Sequence, residues 1–196
     1  MNILALIQEN EWRKFHPTFD VEPEIVRWAR MHAKIWLQRW KEGTQSHWTK
    51  DQERNNYIGM IGQKCFEATL QQLEIPYVPN DPLLDWRGKK NYDFRIPTVG
   101  TVEVKTTDFL ANQIRVLVKC SEWHDSDYCF ALKLINKTPT KVTFMGYATG
   151  KEVKQDFIQA NNRWPCELEP CYWQLLSKLR SASEFFKMLQ DKKEVT

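Results

Sequence analysis

The stretch Asn91–Phe109, NYDFRIPTVGTVEVKTTDF, contains two short runs in which apolar and ionic residues alternate. The apolar positions of the two runs are Tyr92, Phe94, Ile96, Val102 and Val104. Such alternation is typical of β-strands that pack one face on a core. Pro97 and Gly100 lie between the runs, where a chain reversal needs a preset or a permissive φ. The stretch therefore predicts a β-hairpin.

The hairpin would bring Asp93, Glu103 and Lys105 to one face. With a connection from Ile96 to Gly100, Asp93 lies opposite Glu103, and opposite residues of paired strands share a face. Two converging carboxylates can bind a divalent cation, and a lysine two residues along the same strand can reach a water bound to it. The alternative is an ordinary half-exposed sheet, in which Lys105 neutralises two solvated carboxylates.

The spacing of Asp93, Glu103 and Lys105 resembles the signature of the PD-(D/E)XK nuclease superfamily, with Tyr92 at the position of the proline in that name. The resemblance implies an α/β fold, with a central mixed β-sheet flanked by helices as in restriction endonucleases. It also implies a Mg²⁺ site, in which Mn²⁺ can substitute, formed by Asp93, Glu103 and the backbone carbonyl of Val104. Lys105 would orient the attacking water and help to deprotonate it.

A second segment, Arg54–Asn80, predicts a helix followed by a short strand and resembles the first core helix of the same superfamily. Small and apolar residues share one face of this helix, namely Gly59, Gly62, Phe66, Thr69, Leu70 and Leu73. The glycines would let the helix approach a sheet closely. Gln63 stands where the superfamily commonly has a glutamate, and it could ligate through its carbonyl oxygen or hold a water. Glu67 is a possible substitute, although a solvated helix charge is the simpler interpretation.

Later segments predict the rest of the core. Ile114–Lys119 and Asp127–Ile135 have the composition of strands, the second of them buried. The segment KVTFMGYATGKEVKQDFIQ, which begins at Lys141, predicts a strand, a turn at Gly150 and a helix.

The length of 196 residues suits a single domain. We assign residues 1–50 to an N-terminal helical extension and residues 54–190 to the core. The predicted helix of the extension, Val21–Gly43, carries tryptophans at helical spacings, and such a stripe is more often core than a base-stacking surface. These tryptophans are Trp28, Trp36 and Trp40.

The charge balance is 28 Lys and Arg against 25 Asp and Glu, a net +3, which neither requires nor excludes a nucleic-acid partner. Clustering of basic residues is therefore the useful signal. The segment RGKK supplies Arg87, Lys89 and Lys90 just before the Asp93 strand, and we predict that they contact DNA phosphates. A solvated loop is the alternative.

Other sequence features limit the remaining classes. No apolar run approaches the ~18 residues of a membrane span and no signal peptide is evident, so we expect no membrane partner and a soluble cytoplasmic protein. No P-loop or dinucleotide fingerprint occurs, which argues against a nucleotide cofactor. Five cysteines, an odd number, favour free thiols. A zinc site is the alternative, although the candidate ligands lack C-x-x-C spacing: Cys120, His124, Cys129, Cys166 and Cys171.

These observations predict a divalent-metal-dependent nuclease that hydrolyses DNA phosphodiester bonds, with an endonuclease favoured. Cutting both strands of a duplex would be simplest for a homodimer. The alternative is a nucleic-acid-binding module on the same scaffold with weak or lost cleavage. Gln63, at the position where the superfamily commonly has a glutamate, is the reason to consider it.

Overall fold

The computed structural model describes residues 18–43, 50–80, 92–108, 115–120, 123, 126–135, 140–160 and 170–193. The helices in these ranges are α1 (Pro23–Gly43), α2 (Lys50–Gln72), α3 (Gly150–Gln155) and α4 (Ala182–Lys193), with a 3-10 turn at Leu176–Lys178. The strands are β1 (Thr18–Asp20), β2 (Val78–Pro79), β3 (Phe94–Ile96), β4 (Gly100–Thr107), β5 (Arg115–Lys119), β6 (Tyr128–Ile135), β7 (Lys141–Thr149), β8 (Ile158–Ala160) and β9 (Cys171–Leu175).

Six strands form a mixed sheet in the order β1-β7-β6-β4-β3-β2. Its two central strands, β4 and β6, are parallel, and the other neighbours are antiparallel. The strands β5, β9 and β8 form a smaller antiparallel sheet. Helices flank the six-stranded sheet, so the predicted α/β fold with a central mixed sheet is confirmed.

The main core lies between one face of the large sheet and the helices α1, α2 and α4. Phenylalanines from helices and strands fill it; the ring centroids of Phe66 and Phe130, for example, are 4.9 Å apart. Trp28 and Trp36 are partly buried against this core. Both residues contact the core, as the stripe predicts, but each also keeps an exposed part. The side chain of Trp40 lies outside the described part of the chain.

A second apolar cluster covers the opposite face of β6 and β7. It combines Val116 and Val118 of the small sheet with Cys129 and Ala131 of β6 and with Val153 of α3. Burial on both faces explains why β6 is an almost uninterrupted apolar run rather than an alternating one.

The strands β3 and β4 form the predicted hairpin. Ile96 faces Gly100 in the ladder, and the Ile96 carbonyl accepts a hydrogen bond from Val99 N at 3.0 Å. Gly100 has a φ of +122°, a conformation that side-chain-bearing residues rarely adopt. Beyond β3 the register shifts: Asp93 N donates to the Val102 carbonyl at 3.0 Å, so Asp93 lies beside Val102, one residue from its predicted partner Glu103.

The close approach of α2 to the sheet is confirmed at only one of the two glycines. A Cβ built on Gly62 would lie 1.8 Å from Thr106 Oγ1 of β4, so nothing larger than glycine fits there without movement. A Cβ on Gly59 would meet nothing within 4 Å, so the expectation that Gly59 also serves close packing is wrong.

The segment around Gly150 differs from its prediction, because β7 leads directly into α3 and Gly150 is the first helical residue rather than a turn. Thr149 caps the helix: its hydroxyl accepts from Glu152 N, and the Glu152 carboxylate accepts from Thr149 N at 2.7 Å. This reciprocal capping box replaces the turn. Burial acts to raise the pKa of Glu152, but hydrogen bonds from Thr149 and Arg180 outweigh it, and the pKa is lowered.

The cysteines follow the prediction of free thiols only in part. Cys65, Cys120 and Cys129 are free, but Cys171 is disulfide-bonded, so the prediction is wrong at Cys171. A disulfide sulfur does not act as a thiolate ligand, which removes one of the five candidate zinc ligands. His124 and Cys166 lie outside the described residues. None of the described helices is long and apolar enough to cross a lipid bilayer.

Candidate active site

Glu103 and Lys105 project from β4, at the centre of the sheet, on the face opposite to the buried Val102 and Val104. Lys105 Nζ lies 2.7 Å from Glu103 Oε1, and the two side chains are 21% and 13% exposed. This ion pair is therefore largely buried, unlike the solvated strand charges of the alternative interpretation.

Asp93 lies one residue before β3, and its carboxylate is fixed by hydrogen bonds from two different elements. Asp93 Oδ1 accepts from Gln63 Nε2 of α2 at 2.6 Å, and Oδ2 accepts from the backbone N–H of Val104 at 2.7 Å. The backbone carbonyl of Asp93 accepts from Asn80 N at 2.8 Å. Gln63 thus meets Asp93 directly, at the position where the superfamily would supply a further acid.

Cys129 is a buried neighbour of these side chains, because it is the residue of β6 that pairs with Glu103 of β4. Burial raises the pKa of the Cys129 thiol to about 12; the Lys105 ammonium acts to lower it, and the Glu103 and Asp93 carboxylates act to raise it. The Val104 N–H that Asp93 accepts lies between Glu103 and Lys105 in β4, so the Asp93 carboxylate lies close to the strand segment that carries both side chains.

The donor set suits Mg²⁺ better than a metal that needs a full protein cage. In the described part of the chain no group of three or more His, Cys, Asp and Glu side chains could hold a metal ion. Mg²⁺ is usually bound by one or two carboxylates and keeps several waters or substrate oxygens, and Asp93 and Glu103 are the carboxylates that could supply this ligation. Val104 contributes its N–H to Asp93, and its carbonyl is the further donor that the resemblance implies.

Glu67 is not the solvated charge that the simpler interpretation proposed. Its side chain is 13% exposed, forms an ion pair with Lys64, and accepts a hydrogen bond from the Tyr77 hydroxyl at 3.0 Å. The solvated interpretation is wrong because β2 and the segment before it bring Tyr77 over this turn of α2. The hydrogen bond from α2 to Asp93 comes from Gln63.

A pocket of about 200 Å³ lies beside Asp93, between α1, α2 and the β2–β3 edge of the sheet. Its described walls are Trp28, His32, Gln63, Lys64, Glu67, Pro79, Asn80, Asp93 and Phe94. Sequence reasoning missed His32, Lys64 and Asn80 as neighbours of the site. The available signal was the spacing of Trp28 and His32, one helical turn apart, but the spacing does not say which element they face.

Arg87, Lys89 and Lys90 lie outside the described residues, so their contact with DNA stays a prediction. Comparisons with protein-family models, curated proteins and solved structures give no match to this chain. The geometry of the site and the resemblance of its sequence to the PD-(D/E)XK signature are therefore the basis for inferring a function.

Proposed function

We propose that this chain is a divalent-metal-dependent nuclease that hydrolyses DNA phosphodiester bonds, with Asp93, Glu103 and Lys105 as its catalytic side chains. The observation that carries the proposal is the oriented, partly buried arrangement of these groups. Asp93 is held by Gln63 and Val104, while Lys105 and Glu103 pair with little exposure. Charges that serve only solubility gain little from such partners and are mostly exposed.

Each side chain has a distinct role in this proposal. Asp93 and Glu103 hold Mg²⁺ or Mn²⁺, which when bound supplies charge stabilisation at the scissile phosphate and lowers the pKa of a coordinated water. Gln63 keeps the Asp93 carboxylate in place through its hydrogen bond. Lys105, whose ammonium lies beside Glu103, orients the attacking water, and its positive charge favours loss of the water proton to solvent by stabilising the hydroxide that forms.

A nucleic-acid-binding module with weak or lost cleavage is the second candidate, and Gln63 favours it. The Gln63 amide donates a hydrogen bond to Asp93, whereas a glutamate would add a negative charge for the cation. The site then holds two carboxylates instead of three. Two carboxylates still suffice for a Mg²⁺ ion that retains waters, so we favour the nuclease.

In the deciding experiment, purified protein is incubated with supercoiled plasmid and Mg²⁺. The rate of plasmid cleavage by the wild type is compared with the rates of Asp93→Asn, Glu103→Gln and Lys105→Ala. We expect each variant to lose cleavage about a thousandfold, which corresponds to ~4 kcal/mol of transition-state stabilisation. DNA binding should persist, since removing a carboxylate near a phosphate also removes repulsion. Glu24→Gln is the matched control, because Glu24 is 70% exposed on α1.

The products separate the remaining possibilities. Near-normal cleavage by Glu103→Gln would overturn the assignment, and binding without any cleavage by the wild type would establish the binding module. Direct conversion to linear plasmid would favour two copies acting together as a homodimer, and accumulation of nicked circles a single copy. Discrete product ends would indicate site recognition, and ragged ends a processing nuclease.

A further inference from the structure

We infer that the pocket beside Asp93 binds one unpaired nucleobase of the substrate strand, and that the protein therefore prefers DNA with exposed bases, as in single-stranded or locally melted regions. This inference rests on the proposed function and specifies its substrate. Four observations carry it: the aromatic surface, the charge of the lining, a side-chain oxygen to which no described residue donates, and the position of the pocket.

The aromatic surface is a rigid stacked pair on α1. The rings of Trp28 and His32 have centroids 3.9 Å apart and an interplanar angle of 24°. His32 Nδ1 donates a hydrogen bond to the Trp28 carbonyl at 2.8 Å, which fixes the orientation of the imidazole. Both residues are only half-buried, so part of the pair faces the pocket. Preorganised aromatic surfaces of this kind are what nucleobases stack on.

The charge of the lining disfavours a phosphate as the occupant. Glu67 and Asp93 both line the pocket, and without a bound metal their carboxylates would repel a phosphate group. Lys64 does not offset this repulsion, because its ammonium contacts Glu67 and lies 4.5 Å from the centroid of the Trp28 ring. A neutral, flat base meets no such penalty.

Asn80 supplies an unsatisfied hydrogen-bonding group. Its side-chain oxygen is buried, and no described residue donates a hydrogen bond to it. A buried polar atom without a partner is costly, and a rotation of the side chain that turns this oxygen into the pocket would let an amino group on a base edge satisfy it. Asparagine side chains commonly read base edges in this way. A base engaged in Watson–Crick pairing inside a duplex could not enter so small a pocket.

The position of the pocket links base binding to the proposed reaction. Asp93 forms part of the wall, and the backbone N–H of Asn80 donates to the Asp93 carbonyl. A base held against Asn80 and His32 would therefore keep its own phosphate, or the adjacent one, close to the carboxylates. The pocket would fix the strand before the reaction.

The test measures binding of the wild-type protein in EDTA, so that cleavage plays no part. The probes are a fluorescent single-stranded oligonucleotide, the same strand with abasic sites, and the corresponding duplex, followed by anisotropy. We expect the single strand to bind more tightly than the duplex, and His32→Ala and Asn80→Ala to weaken single-strand binding about tenfold, the loss of one stacked or hydrogen-bonded base. The affinity of both variants should also no longer differ between the intact single strand and the strand with abasic sites.

Met31→Ala is the matched control, because Met31 is 53% exposed on the same helix and should leave binding unchanged. His32 and Asn80 lie on different elements, so a folding defect in one variant leaves the other informative. Equal or tighter binding of the duplex, or unchanged binding by both variants, would overturn the inference. If the protein cleaves DNA with Mg²⁺ but its binding does not depend on the bases, the nuclease proposal stands and base binding by the pocket is wrong. If binding depends on the bases but no cleavage occurs, base binding stands and the nuclease proposal is wrong.

Discussion

Gln63 gives the site a stable arrangement without a metal. Its amide donates to Asp93 Oδ1 at 2.6 Å, and a carboxylate in the same place would face Asp93 at close range. Like charges so close raise the pKa of one of the two groups and destabilise the folded chain. The Lys105 ammonium, 2.7 Å from Glu103 Oε1, likewise compensates the negative charge of Glu103. The contact of Gln63 with Asp93 is thus physically favourable, although Gln63 differs from the glutamate in the pattern that the sequence resembles.

We therefore predict that Gln63→Glu lowers the melting temperature in EDTA and that added Mg²⁺ restores it. The third carboxylate should raise Mg²⁺ affinity and retain cleavage, because it supplies the acid that the superfamily commonly has. Thermal melts with and without Mg²⁺, with calorimetric Mg²⁺ titration, provide the measurement. Gln63→Ala, which removes the hydrogen bond without adding charge, is the control. Loss of cleavage by Gln63→Glu at saturating Mg²⁺ would show that the amide itself is required.

The sequence predicts the convergence of Asp93, Glu103 and Lys105 because strand alternation has a period of two and the connection from Ile96 to Gly100 sets the register. The pocket could not be predicted in the same way. Its walls depend on how α1 and α2 cross each other and the sheet edge, which no local period determines. The partners of Glu67 were missed for that reason.

At the scale of elements, the contact between α2 and β4 controls the site. Gly62 packs directly on Thr106, the residue after Lys105, and the next residue of the helix, Gln63, reaches Asp93. Any displacement of α2 from β4 would carry the Gln63 amide away from Asp93. Gly59, one turn earlier, faces open space and does not constrain the contact.

The two glycines thus make a matched pair of substitutions. We predict that Gly62→Ala destabilises the fold by about 1–3 kcal/mol through overpacking against Thr106 and also weakens cleavage. Gly59→Ala should instead stabilise the fold by up to ~1 kcal/mol, because alanine is the better helix former and its methyl group meets nothing. Urea denaturation of both variants gives the free energies of unfolding. Equal effects at the two positions would contradict the close contact at Gly62.

The elements themselves were predictable where their pattern is regular. The β3–β4 hairpin, β5, β6, β7, α1 and α2 follow from periodicity. The short strands β1 and β8 did not appear in the sequence analysis, because three residues carry too little pattern to separate a strand from a loop. β1 pairs with β7, which is far away in the sequence. β8 pairs with β9, which follows only after an intervening segment.

Across the protein, several basic side chains of the described surface pair with carboxylates. These surface ion pairs include Arg27–Glu24, Arg54–Asp108, Lys141–Asp20, Arg180–Glu152 and Lys193–Glu74. With a net charge of only +3, such pairing leaves little general attraction for DNA. Binding should then depend on a local basic cluster close to the site, and RGKK precedes Asp93 by only a few residues in the chain.

We accordingly predict that reversing the charges of Arg87, Lys89 and Lys90 weakens DNA binding for all sequences alike. Contacts to phosphates carry no base information, and each lost contact should reduce the slope of log affinity against log salt by about one unit. The measurement is a salt series of binding isotherms on unrelated oligonucleotides. The matched control reverses three exposed lysines on other elements, Lys151, Lys178 and Lys187. An equal loss of DNA affinity in the control would show that the effect comes from net charge alone. An unchanged salt slope in the RGKK variant would show that the segment is a solvated loop without phosphate contacts.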